Sequence, residues 1–442
     1  LLQNSESEKP AFEPHSGIQV RKAAVFKETM LMGDKKRHSL ILFVLGGLAT
    51  LGPFSVDMYL PGFSAIARDL RTNGSMVGLT LTTYTLGLAF GQLLAGPILD
   101  RYGRKGPISV SLVVFVLAAA GCALAPSIHA FIAFRFFLAL GSCMGMVGAN
   151  AVVRDLFTGN EIARALSVMM MVFGVAPVIA PTIGGLVVSA VGWRAIFAVL
   201  LCIGLVEAII FRVSVPETRG PNDAMSLRPS SVVGSYLAFF TNRQFVVFAC
   251  VMGLTSGMLF SYITGSPALI LDSFHFSAKE FGWIFGANAI ALTLSNFANR
   301  LLLKRLTPLK ILVIVISIQS AVALVLFGGL WGGFFGVWAT LVFVALYVFS
   351  FGFIMPNATA LIMQPFSANA GSASALSGGI SMFVGTSASA IVSYLYDGSG
   401  RPMTLSFLVF TVAALLLVSC YSILTRRDNA SPGSGLDEGA VR

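Results

Sequence analysis

Charge is scarce in this chain. Asp, Glu, Lys and Arg together make up 11% of its 442 residues, against roughly 25% in a soluble domain, and that shortage excludes an ordinary water-facing surface. Histidine is scarcer still. His15, His38, His129 and His275 show no helical metal-ligand spacing. No nucleophile elbow accompanies them, and the Gly-rich stretches lack the Lys and Ser/Thr of a phosphate loop, so the sequence predicts neither an enzyme nor a cofactor. Five cysteines (Cys122, Cys143, Cys202, Cys250 and Cys420) fall singly inside apolar runs, which argues against a disulfide framework and for small hydrophobes in packed helices. Residues 1–38 carry no apolar stretch of the signal-peptide kind, so the first apolar run is expected to serve as an uncleaved insertion signal.

What the chain has instead is apolar length. Hydrophobic residues account for 56% of it, with mean hydropathy +0.84. A bilayer core needs about 20 apolar residues per helix, and runs of that kind predict twelve spans, the second near 76–98, the fifth near 163–190 and the tenth near 334–356. The fold class is therefore an all-α polytopic membrane protein. Its parts are a polar amino-terminal tail (1–38), a six-helix bundle (39–213), a central loop (214–242), a second six-helix bundle (243–425) and a polar carboxy-terminal tail (426–442). For the first tail two readings stand: a disordered cytoplasmic segment, or an extension ahead of a natural start at Met30 or Met32.

The net charge of +10 is distributed at span ends rather than in one stripe, which points to a membrane surface and not to nucleic acid. Arg101, Arg104, Lys105, Arg154, Arg300, Lys304 and Arg305 fall on one face, while only about five basic residues, Arg68, Arg71, Arg194, Lys279 and Arg401, fall on the other. By the positive-inside rule both termini are cytoplasmic. Trp193, Trp283 and Trp331 then suit an aromatic belt on the opposite side. The loop LDRYGRKGPI between spans two and three has a degenerate counterpart, ANRLLLKRLTPLKI, between spans eight and nine, with Asn299 and Arg300 in the places of Asp100 and Arg101. Duplication of a six-helix unit explains this match at equivalent loops.

The stretch GQLLAGPILDRYGRK (Gly91–Lys105) resembles the signature of the major facilitator superfamily. With it, DMYLPGF from Asp57, RFFLALGSCMGMVGANAVVRDLF from Arg135, APVIAPTIGG from Ala176, GWRAIF from Gly192, PET at Pro216 and AGSASALSG from Ala370 resemble the bicyclomycin and chloramphenicol resistance (Bcr/CflA) exporters. The resemblance implies two bundles that rock about a central site, export of small amphipathic drugs or antimicrobials in exchange for protons, and a bacterial inner-membrane location. Import or export of a natural metabolite such as a nucleoside or sugar is the alternative. A functional monomer is expected.

Within that frame, Gly96, Asp100, Arg101, Gly103, Arg104, Lys105 and Asp155 form the expected cytoplasmic gate. Gly103 permits a tight turn, Asp100 accepts from cations or caps the next helix, the basic groups latch one bundle to the other, and Asp155 pairs with Arg104. Topological anchoring by the same basic residues is the simpler reading.

An ionisable group at membrane depth invites a functional hypothesis. Asp57 is expected to carry the transported proton. Burial favours its neutral form and a nearby Arg135 its ionised form, so a changing separation would drive uptake or release; a fixed ion pair is the bland alternative. The resemblance places spans one, four, seven and ten around the cavity. Some related exporters carry a second acid one or two turns earlier on span one, where this chain has Ala49, Thr50, Pro53 and Phe54, and that weakens the case for cationic drugs. Glu207 reads as a helix-interface or snorkelling group rather than a second proton site. Gly174, Pro177, Pro181, Gly184 and Gly185 resemble the antiporter motif, with close helix packing an equal reading. Tyr59, Tyr84, Ser142, Met146, Phe260 and Tyr262 are candidate cavity groups, with Asn150, Asn288 and Asn357 as polar contacts.

Overall fold

The computed structural model describes residues 39–157, 160–220, 238–366 and 370–430. The expected tail 1–38, most of the central loop (221–237) and the end of the chain (431–442) lie outside these residues. Among the described residues everything regular is helical. α1 runs over 39–57, and a short 3₁₀ turn, Leu60–Gly62, leads into α2 (Phe63–Asp69). Then come α3 (Gly74–Tyr102), α4 (Lys105–Ala123), α5 (Ile128–Leu156), α6 (Asn160–Val191) and α7 (Arg194–Ser214). The second half holds α8 (Arg243–Pro267), α9 (Ala278–Leu302), α10 (Pro308–Trp331), α11 (Val337–Phe349), α12 (Phe351–Met363), α13 (Ala370–Tyr394) and α14 (Arg401–Ala430). Eleven segments are long and apolar enough to cross a bilayer as they stand; the bent α3 makes twelve.

Local chemistry explains where the helices begin. Asn73, Ser127, Asn242 and Thr307 each accept from a backbone N–H of the turn they open, and Ser277 with Glu280 forms a reciprocal capping box, which satisfies donors that a helix start leaves orphaned. α14 continues to Ala430, past the span end expected at 425.

Large apolar side chains are exposed along the outside of the bundles, among them Phe43, Leu117, Phe297 and Leu416. Such a surface would aggregate in water and is what acyl chains require. The expected aromatic belt is corrected at one member. Trp283 is 62% exposed, but Trp193 is 4% exposed, packs edge-on against Phe131 and Phe197, and donates its indole N–H to Asp69 at 3.1 Å. It belongs to the protein core.

The two halves meet toward the side opposite the signature loop. α6 packs on α9, and α3 packs on α13. Gly185 lies against the Ala278 backbone, Gly282 lies against the Pro181 carbonyl, Thr182 donates to the Gly282 carbonyl at 3.3 Å, and Thr82 shares a hydrogen bond with Ser389 at 3.2 Å.

Candidate functional site

α1 ends at Asp57, so its last turn leaves backbone carbonyls without helical partners. Arg135, seven residues into α5, fills that need. Its Nη1 donates to the Ser55 carbonyl at 2.7 Å, and its guanidinium lies over the rings of Tyr59 at 4.0 Å, Tyr84 at 4.5 Å and Phe197 at 5.9 Å. A cation at a helix C-terminus is favoured by the helix dipole, and aromatic faces compensate a desolvated guanidinium. Nε and Nη2 have no hydrogen-bond partner, so the rings carry the rest of the compensation. The cage is braced from outside: the Tyr84 hydroxyl reaches the Gly52 carbonyl at 3.2 Å and Ser142 at 2.9 Å, and the Tyr59 hydroxyl meets Thr80 at 3.3 Å.

This corrects two expectations. Arg135 is 0% exposed and makes no ion pair with Asp57; it secures the end of the helix that carries Asp57. Tyr59 and Tyr84 are fully buried walls of the guanidinium cage and Ser142 is a buried brace of Tyr84, rather than cavity lining.

Asp57 itself is 5% exposed and, among the described residues, its carboxyl has no hydrogen bond or ion pair. It sits where the halves touch, just before the 3₁₀ turn that packs on α8 and α9, and within electrostatic range of the Tyr262 hydroxyl on α8. Tyr262 accepts a hydrogen bond from Asn288 at 2.8 Å and stacks on Phe285. Phe260 packs against α13 at Gly385. Met146 and Asn150 are half-buried further along α5, and the Asn150 amide is spent on its own helix, donating to the Met146 carbonyl. Asn357 is likewise engaged, donating to Asn299 at 2.7 Å. A cavity of about 620 Å³ does open, but on the lipid side of α3, α4 and α5, lined by Gly91, Leu94, Tyr102, Val110, Phe137 and Met144 among others, away from these groups.

At the signature loop, Gly96 and Asp100 lie inside α3, which ends at Tyr102. Pro97 lacks the N–H that would bond the carbonyl of residue 93, and its ring crowds that carbonyl; α3 bends by 42° there. The turn is only Gly103 and Arg104. Gly103 has φ +83°, and a Cβ on it would lie 2.8 Å from the Arg219 carbonyl, so glycine is required twice over. Arg104 donates to Asp100 and Asp155, both at 2.8 Å. Burial works against its charge, but the hydrogen bonds it donates to Asp155 and Asp100 outweigh that and hold the guanidinium above its ordinary range.

Asp100 does not cap α4. That role falls to Glu217, whose carboxylate accepts from the backbone N–H of Arg104 at 2.8 Å and of Lys105 at 3.1 Å, while Thr218 donates to Asp155 at 3.1 Å and Arg219 lies 3.7 Å from Asp100. The PET segment is thus the missing partner of the signature, and the cluster ties α3, α4 and α5 to the start of the central loop. The expected latch across to the second bundle is not what these groups form here. Arg101 lies beside the Tyr102 ring at 5.6 Å, and its Nε is buried without a partner.

The proline and glycine motif of α6 resolves residue by residue. Gly184 receives the Met58 carbonyl of the first span, Gly185 receives α9, and Pro177 and Pro181 lie within a continuous helix whose carbonyls at Val178 and Pro181 face Gly286 and Gly282; Gly174 has no neighbour that a methyl group would meet. The motif packs on both sides here, Gly184 on the first span and Val178, Pro181 and Gly185 on α9 of the other half.

A further cluster on the side opposite the signature was not anticipated. Asp272, in a π-helical turn after α8, accepts from Ser64 at 2.7 Å and from Tyr396 at 2.8 Å, and the Tyr396 ring lies over Gly74. Burial, together with the Asp272 carboxylate, pushes the Tyr396 phenol well above its ordinary range, so it remains a donor at any working pH. Three segments from both halves are joined there. π-Turns mark functional positions often enough that this one stands as a gate candidate.

A profile of the Major Facilitator Superfamily matches residues 45–390. A transporter of Bacillus subtilis (strain 168) described as an uncharacterized MFS-type transporter, YdgK, is 33% identical over 89% of this chain and 97% of its own. The bicyclomycin resistance protein homolog of Haemophilus influenzae is 30% identical over 91% and 100%, and multidrug resistance protein D of Escherichia coli (strain K12) is 31% identical over 89% and 98%. Among solved structures, a bacterial homolog of the lysosomal transporter Spinster in an inward-facing, unoccupied conformation matches with TM-score 0.72 at 14% identity, covering 90% of this chain and 99% of that one. That likeness speaks to fold alone. Two six-helix halves meeting along α6–α9 and α3–α13, a signature turn built on Gly103 and a full-length match to these relatives have one common explanation: the chain belongs to the Major Facilitator Superfamily.

Proposed function

We propose that this protein is a proton-coupled exporter of small amphipathic drugs or antimicrobials that works by alternating access. The observation that carries the reading is the Asp57 carboxyl, buried and unpartnered at the seam between halves, two residues beyond the carbonyl that Arg135 holds. A carboxylate without partner at membrane depth is expensive, so the neutral acid fits this conformation and the ion fits one in which the seam opens to water. Proton release at Asp57 and separation of α1 from α8 are then one event. The names of the relatives from Haemophilus influenzae and Escherichia coli support drugs as the cargo.

The face carrying the signature loop and the termini is cytoplasmic, and the membrane is a bacterial inner membrane. Each chain encloses its own seam, which makes the monomer the working unit. Solved transporters of D-xylose and of nucleosides share the fold at 14% and 13% identity, too distant to move the cargo away from drugs. The test is uptake of candidate compounds into inverted vesicles under an imposed pH gradient. Asp57→Asn is expected to bind compound but to lose gradient-driven uptake by about a hundredfold. Full driven uptake by that variant overturns the reading, and gradient-driven uptake of sugars or nucleosides with none of drugs assigns the cargo to metabolites instead.

A further inference from the structure

Among the described residues Glu207 is the other acid deep within a span, Asp100, Asp155 and Glu280 lying within a turn of a helix end, and the structure does not let it snorkel. It lies seven residues from the Ser214 end of α7, about 10 Å into the membrane at 1.5 Å per residue. Its carboxyl turns toward α1, against Gly47: a Cβ there would stand 2.7 Å from Oε2 and 3.0 Å from Cδ. Oε1 is buried and has no hydrogen-bond partner, and the group lies within reach of the Leu48 backbone. A Gly47 with any side chain would exclude it, so the glycine makes the berth.

Among the described residues no cationic side chain pairs with a negative charge in that berth, and the Leu48 backbone is its one polar neighbour. α7 packs on α4, α6 and α1. The titratable and charged residues of those elements are Lys105 and Cys122 on α4, Glu161 and Arg164 on α6, Asp57 on α1, and Arg194, Cys202 and Arg212 on α7 itself. None forms an ion pair with Glu207. On its outer side α7 exposes Leu205, Val206 and Ile209, a surface suited to acyl chains. The cost of an unpaired carboxylate in such surroundings is several kcal/mol or more, whereas a protonated acid needs only a local acceptor.

Gly47 and Asp57 stand on the same helix ten residues apart, about 15 Å at the helical rise. The two acids therefore flank α1, Glu207 toward the signature side and Asp57 toward the opposite side. We propose that Glu207 is a second proton-binding carboxyl, neutral in this conformation, on the route between Asp57 and the signature side. Ionisation would place an uncompensated charge on the α1 backbone at Gly47 and loosen α1 from α7, so that loss of this proton accompanies movement of the helix that carries Asp57. The assignment rests on the proton-coupled reading of the protein, but its occupancy by a proton can be measured without transport.

The experiment treats the purified transporter in lipid with an apolar carbodiimide. A neutral carboxylic acid in an apolar site protonates one carbodiimide nitrogen while its oxygen bonds the central carbon, and the acyl group then shifts to nitrogen to leave a stable acylurea, locatable by peptide mass spectrometry. Glu207 is expected to be modified at neutral pH, in the wild type and in Asp57→Asn alike, and less as pH rises. Glu207→Gln, which keeps size and hydrogen bonding, is expected to remain folded and to bind compound while its gradient-driven uptake falls about tenfold or more. Absence of the acylurea at Glu207 across the pH range, with other sites on the same sample modified, overturns the proposal. So does an acylurea accompanied by unchanged driven uptake in Glu207→Gln, which reduces the residue to packing. If instead Asp57→Asn transports normally while Glu207 behaves as stated, the failure belongs to the Asp57 reading and not to this one.

Discussion

The two halves are held together internally by different chemistry. In the first half, the ends of α3 and α5 meet through Asp100, Arg104 and Asp155, an ionic cluster. In the second half Asn299 on α9, in the place of Asp100, accepts instead from the amide of Asn357 on α12 at 2.7 Å. The same contrast recurs deeper in. Arg135 sits in an aromatic cage in the first half, whereas Tyr347 in the second stacks on Phe407 at 4.0 Å and bonds Thr411 at 2.6 Å with no charge present. The buried guanidinium groups and their partners lie in the first half, whereas these interior contacts of the second are between neutral groups.

Six substitutions sharpen that contrast. Arg135→Ala removes the cation that holds the end of α1 and leaves its cage empty, and a loss of about 2 to 4 kcal/mol of stability is expected, read as a fall in melting temperature together with loss of transport. Tyr347→Phe, its neutral counterpart, is expected to cost only about 1 kcal/mol; equal losses in the two would erase the asymmetry.

Asp155→Asn leaves Arg104 buried with one acid instead of two, and about 1.5 to 3 kcal/mol is expected to be lost, against about 1 kcal/mol for Asn357→Ala. The pH dependence has a definite sign. Because the Arg104 guanidinium is held above its ordinary range, its contribution is complete at neutral pH and disappears only in strong alkali. Melting of the wild type should accordingly show no loss from this cluster between neutral and mildly alkaline pH.

Asp272→Ala takes away both acceptors of the seam cluster, each a charge-assisted bond worth about 1.5 kcal/mol or more. Spin labels at Arg68 and Lys279 should report wider separations on the side opposite the signature. An unchanged distance distribution would remove Asp272 from gating. Smallest is Glu217→Gln, which weakens the acidic cap of α4 by about 0.5 to 1 kcal/mol, measurable as a modest drop in melting temperature without loss of compound binding.

Span number and the Arg104–Asp155 contact were legible because both depend on local facts: apolar length, and opposite charges at the ends of neighbouring helices. What was hidden depends on helix rotation and on which backbone groups are left bare. That Arg135 faces the Ser55 carbonyl rather than Asp57 follows from where α1 stops, and apolar length does not mark that stop inside an unbroken run. Glu217 was visible only as part of a family motif; a carboxylate 113 residues after the Arg104 N–H it accepts from carries no local signal for the start of α4. Trp193 reads as an interface residue by its position at a span start, but Asp69 and Phe131, both distant in sequence, draw it inward together with Phe197 one turn on. Pro97 could have been read as the bend it makes, since a proline four residues after residue 93 has only that carbonyl to disturb.

The central claim is that the first half holds the transported proton at Asp57. Addition of a transported compound to purified protein in weakly buffered detergent solution, followed by a pH-sensitive dye, tests it most directly. Wild type and Glu217→Gln should release protons on binding, and Asp57→Asn should bind the compound and release essentially none. Equal release by Asp57→Asn and wild type would contradict the account.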